Sequence, residues 1–73
     1  SLQARVTYMS NHVNQEDFVR VDFETSETVE LMIDIYAKQF NLVATILHQD
    51  PSSTIATFAG SIDDLEDFKE FMK

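Results

Sequence analysis

The sequence predicts an α+β fold: a four-stranded antiparallel sheet with two helices on one face. Three observations carry this. Residues 17–24 alternate apolar and polar side chains, a strand with one buried face and one wet one. Residues 25–40 repeat apolar residues at helical spacing. Two further strand-like segments and a second amphipathic segment then follow, separated by turn residues.

Taken in order, residues 4–10 (A-R-V-T-Y-M-S) alternate weakly, with Val6 and Tyr8 on one side, and read as a strand. Residues 11–16 are polar and read as a turn, carrying His12. In residues 17–24, Val19, Val21 and Phe23 face one way, while Arg20, Asp22 and Glu24 face the other. Thr25 or Ser26 supplies a cap for a helix running to about Phe40. Glu27 and Glu30 at its start and Lys38 at its end suit the helix macrodipole. Val29, Met32, Ile33, Tyr36 and Phe40 form its core stripe, and Asn41 follows as a left-handed cap.

Residues 42–49 (L-V-A-T-I-L-H-Q) are apolar and β-branched, too short for a helix, and read as a strand. Asp50-Pro51-Ser52-Ser53 supplies turn chemistry, and residues 54–59 return as the next strand until Gly60 ends it. Ser61-Ile62-Asp63-Asp64 resembles a capping box with Asp in place of Glu. Ile62, Leu65, Phe68, Phe71 and Met72 give the last helix its apolar face.

The order β-β-α-β-β-α reads, from Phe18 onward, as a ferredoxin-like plait without its last strand, and residues 4–10 fit the vacant slot. A permuted plait over one domain, residues 1–73, is therefore expected. The alternative is that residues 4–10 reach across to the sheet of a second protomer.

Composition narrows the function. A chain of 73 residues holds one domain and buries only roughly 60% of its unfolded surface, so partners often supply part of the stability of such domains. There is no Cys, which removes disulfides and thiolate metal sites. The formal net charge of −8 repels phosphate backbones, so direct nucleic-acid binding is not expected. No run reaches the roughly 18 apolar residues that cross a bilayer, and no signal peptide is seen, so membrane insertion is not expected and a cytoplasmic location is. The opening Ser1-Leu2 lacks an initiator Met and reads as a domain cut from a longer protein.

V-R-V-D-F (19–23), A-K-Q-F-N (37–41), A-T-I-L (44–47) and F-A-G-S-I-D-D-L-E-D-F (58–68) together resemble the small regulatory domains of the ferredoxin-like superfamily, ACT-like in style. The closest in feel is the NIL domain of methionine-import ABC transporter ATPases. Where that family carries Asn-Ile-Leu, this chain reads Thr45-Ile46-Leu47. The resemblance implies a small amino-acid ligand, drawn to Asn41, Thr45, Leu47 and His48. V-A-T-I-L-H (43–48) and G-S-I-D-D also look like the C-terminal domain of nickel-responsive regulators, whose metal set needs several His and a Cys. His48 alone stands near that place, so no nickel role is expected.

The residue types assemble no catalytic set. His12 and His48 could pair with Asp17 or Asp50, but no H-x-x-x-H or H-E-x-x-H spacing supports a metal. The hydroxyls of Ser52, Ser53 and Thr54 read as turn residues. Asp63, Asp64, Glu66, Asp67 and Glu70 read as the start and solvated face of a helix, without the spacing of a calcium loop. One feature exceeds what the fold needs: Leu31 and Ile35, one turn apart and away from the core stripe of their helix. The expected role is thus a non-catalytic regulatory or interaction domain without a cofactor or metal. It would act as a homodimer, or on another protein chain, through Leu31 and Ile35. The alternative is an acidic decoy that imitates nucleic acid and occupies a basic partner.

Overall fold

A computed structural model of the chain describes residues 4–11, 16–24 and 27–73, with side chains from residue 17 onward within those ranges. Among them run strand β1 (Ala4–Asn11), strand β2 (Glu16–Glu24), helix α1 (Val29–Gln39), strand β3 (Val43–Gln49), strand β4 (Ser53–Ala59) and helix α2 (Ile62–Phe71). The class is α+β, and every strand pairing is antiparallel.

β4 is the hinge of the sheet. It pairs with β2, Val21 opposite Ala56, and on its other side with β3, Thr45 opposite Thr57. β2 and β3 are therefore parallel, and α1 is the crossover between them. β1 pairs along the outer side of β2, from Ala4 opposite Phe23 to Asn11 opposite Glu16, giving the order β1-β2-β4-β3.

The expected four-stranded plait under two helices is corrected by where the helices lie. α1 packs on β3 and β4, and α2 on β2, whereas the substantial contacts of β1 are with β2 alone. The body is thus a three-stranded antiparallel sheet, β2-β4-β3, with two helices. The connectivity of that body is compatible with part of a plait. The strand count that the helices cover is not.

The alternation read in β2 is realised: Val19, Val21 and Phe23 are buried, while Arg20 and Glu24 are exposed. Ala56 and Phe58 of β4 bury on the same side, with Thr54 beside them as a buried polar residue. α1 adds Val29, Ile33 and Ala37, and α2 adds Leu65 and Phe68. Aromatic rings close the seam between the layers. Phe58 and Phe68 have centroids 4.5 Å apart, and Phe40 lies 5.4 Å from Phe68 in an edge-to-face arrangement.

Three local expectations change. The cap of α1 is Thr28, with helical backbone angles and no side-chain capping bond, so the helix begins later than Thr25 or Ser26 would have placed it. Those two residues, like His12, lie outside the described residues, and so do the side chains of Val6 and Tyr8. Ala37 joins the core stripe because its small side chain lets α1 come close to the sheet, while Met32, Tyr36 and Phe40 are half-buried. On α2, Ile62 and Phe71 are exposed although they fall on the apolar face. Each sits at a helix end, beyond the part that the sheet covers.

Two of the helix ends expected from the sequence are built as such. Ser61 caps α2, its hydroxyl accepting from the Asp64 amide at 3.1 Å. After α1, Asn41 adopts φ 57°, the left-handed conformation. The Leu42 amide then donates to the Ala37 carbonyl at 2.8 Å and the Asn41 amide to the Lys38 carbonyl at 3.4 Å, the paired bonds of a Schellman ending.

Candidate functional site

The residues that set this molecule apart lie on β3. This strand forms one side of the sheet, with β4 as its sole neighbour in the strand order. A continuous apolar run such as V-A-T-I-L suits a strand covered on both faces. Here the opposite holds. Val43 is 70% exposed, Leu47 56% and Ile46 40%; Thr45, His48 and Gln49 are exposed too, and only Ala44 is half-buried.

Register divides these side chains between two faces. Ala44 and Ile46 lie opposite Phe58 and Ala56, both buried, and so share the helix-bearing face. Val43 and Thr45 lie opposite Ala59 and Thr57, on the face that the helices leave open. Between Ile46 and His48 the register slips, so Leu47 is an extra residue in a bulge and His48 comes opposite Ile55.

Beyond the strand, Asp50 organises the turn. Its Oδ1 accepts from the Ser52 amide at 2.8 Å, the Ser52 hydroxyl at 2.8 Å and the Ser53 amide at 2.9 Å. Its Oδ2 lies 2.8 Å from His48 Nε2. These bonds, that of His48 foremost, hold the Asp50 carboxyl well below the usual carboxylate range. The carboxylate stands between hydroxyl and imidazole, so His48 does not take the Ser52 proton. A nucleophile needs its base as direct neighbour, and this order provides a turn lock instead.

The residues expected to hold an amino acid are spread out rather than gathered. Asn41 ends α1 at one end of β3, Thr45 sits mid-strand on the open face, Leu47 in the bulge and His48 at the turn. At about 3.3 Å per residue, Asn41 and His48 stand roughly 20 Å apart, too far for one small ligand. Asp17 is half-buried on β2, and among the described residues no group of three or more His, Cys, Asp and Glu could hold a metal ion. The acidic residues of α2 form a largely solvated face, with Glu66 and Glu70 beside Lys69 and Lys73 at 3.5 and 3.1 Å.

Leu31 and Ile35 are 60% and 43% exposed on α1, next to the Asp34–Lys38 ion pair at 3.0 Å. Val43 and Ile46 join them as exposed apolar residues that periodicity did not single out. One sequence signal does mark them: from Gln39 to Ile62, Asp50 is the only residue with a formal charge. No helix among the described residues is long and apolar enough to cross a membrane. No protein-family model, curated protein or solved structure matches the chain.

Proposed function

We propose that this chain is a non-catalytic interaction domain that works by self-association, as a regulatory or assembly module of a larger protein. One observation carries the reading: a strand with the composition of a sheet interior stands exposed on both faces at the border of the sheet. Exposed outer strands are usually blunted by charge or proline. β3 has neither; its bulge is the one such device it carries.

The Asp50-centred hydrogen bonds support a binding role over a chemical one, because they tie the available hydroxyl and imidazole to a turn. The in-line placement of Asn41, Thr45, Leu47 and His48 favours an extended partner over a free amino acid.

The test is the molar mass of the purified domain across a dilution series, by light scattering and sedimentation. A concentration-dependent dimer is expected. A monomer at every concentration defeats the proposal and turns attention to basic protein partners, as the acidic-decoy alternative requires.

A further inference from the structure

We infer that the partner of β3 is the β3 strand of a second copy, paired antiparallel about a two-fold axis at Thr45 so that two sheets become one. The inference rests on the self-association reading and adds its surface and register.

Charge says where two copies can meet. Each carries −8, and like surfaces repel. Acidic residues crowd β2, with Asp17, Asp22 and Glu24, and α2, with Asp63, Glu66 and Asp67. α2 packs on β2, so these two groups share the side of the molecule away from β3. β3 carries no formal charge, and the one at its end, Asp50, is hydrogen-bonded to His48. Bringing the β3 sides together therefore keeps these two acidic groups apart, and of the acidic residues on α1, which packs on β3, Asp34 is paired with Lys38 while Glu30 lies nearer the contact.

Register says how they fit. A two-fold contact pairs a surface with itself. With Thr45 opposite the second copy's Thr45, Val43 lies opposite Leu47 and Ala44 opposite Ile46. The two most exposed apolar residues of the strand then lie opposite each other, with Leu47 at the bulge that ends the regular run, and small meets large on the helix face. Shifting the axis to Ile46 would set Thr45 against Leu47 and leave Val43 against Gln49. The bulge after Ile46 limits the regular run, so the contact is short and falls below the roughly 800 Å² per partner of a standard interface. Association in the micromolar range or weaker follows, which suits a module brought to high local concentration by a larger assembly.

Two sets of variants test this. Val43→Glu/Leu47→Glu sets like charges face to face at both pairs and is expected to weaken dimerisation by at least about tenfold. Both positions are exposed, so circular dichroism, and thermal unfolding at concentrations where both proteins are monomeric, should match wild type. Val43→Lys mixed with Leu47→Glu places Lys opposite Glu only in the heterodimer, and the mixture is expected to associate more tightly than either variant alone. A wild-type dimer that is indifferent to the glutamates, or a mixture no tighter than its components, overturns the register. A dimer split only by Leu31→Asp/Ile35→Asp overturns it too, yet leaves self-association standing. A wild-type monomer throughout defeats both.

Discussion

Gly60 lies so close to Leu42 that a β-carbon on it would stand 2.6 Å from Leu42 Cδ2. Leu42 is buried and directly follows the left-handed Asn41, so the end of α1, the start of β3 and the end of β4 meet at this point. Gly60→Ala forces the Leu42 side chain to move against packed neighbours, at an expected cost of about 1–3 kcal/mol. Urea unfolding of Gly60→Ala, Leu42→Ala and the double variant measures the coupling. The double variant should be more stable than the two single losses add up to, and strict additivity would contradict the close approach.

Asn41 holds φ 57°. Glycine takes this conformation without penalty and a β-branched residue does not. Asn41→Gly is expected to leave stability unchanged or slightly raised, whereas Asn41→Val should cost about 1–2 kcal/mol. Thermal unfolding of the pair reads the sign.

Phe68 and Phe71 lie one turn apart on α2, and both touch the aromatic seam. Phe68 is fully buried against Phe58, while Phe71 is 49% exposed beside Tyr36 and Phe40. Phe68→Ala should cost about 3–5 kcal/mol, enough to unfold much of so small a domain. Phe71→Ala should cost clearly less. Equal losses in denaturant titrations would mean that the seam is packed differently.

Asp50 gives a pH signature with a defined sign. Its carboxyl is held below its ordinary value of 3.8 by His48 first, then Ser52 and Ser53. A carboxyl depressed in the folded state stabilises fully above its unfolded value, and that contribution is lost as pH falls through the folded one. The stability of wild type should therefore drop below about pH 4 more steeply than that of Asp50→Asn. The group is exposed, so the difference is modest, and parallel curves would remove Asp50 from the turn lock.

Much of this fold was legible because local signals coincided. The alternation in β2, the spacing of Val29 and Ile33, the Ser61 cap and the left-handed Asn41 each follow from neighbours in the chain. The start of α1 was less so: Thr25 and Ser26 read as caps, but the helix starts after Thr28, which makes no side-chain capping bond. The extent of the sheet under the helices was not legible either. Hydrophobic pattern reports that a strand has a buried face, not which helix covers it. For the same reason, β3 read simply as a strand. Its apolar character is compatible with a central or an outer position, and only the pairing of β4 with both β2 and β3 sends it to the border. Leu31 and Ile35 were visible because they break the helical period, but Val43 and Ile46 break no period.

The near absence of formal charge between Gln39 and Ile62 makes the molecule electrically lopsided. In the proposed dimer, two copies approaching in water would be pushed apart by long-range fields that fade within roughly 8–10 Å at physiological ionic strength, and held together by an uncharged contact that salt does not screen. Raising ionic strength should therefore tighten association, the reverse of what an interface built on ion pairs shows. Such a module would register the crowding and saltiness of its surroundings without binding any ion at all.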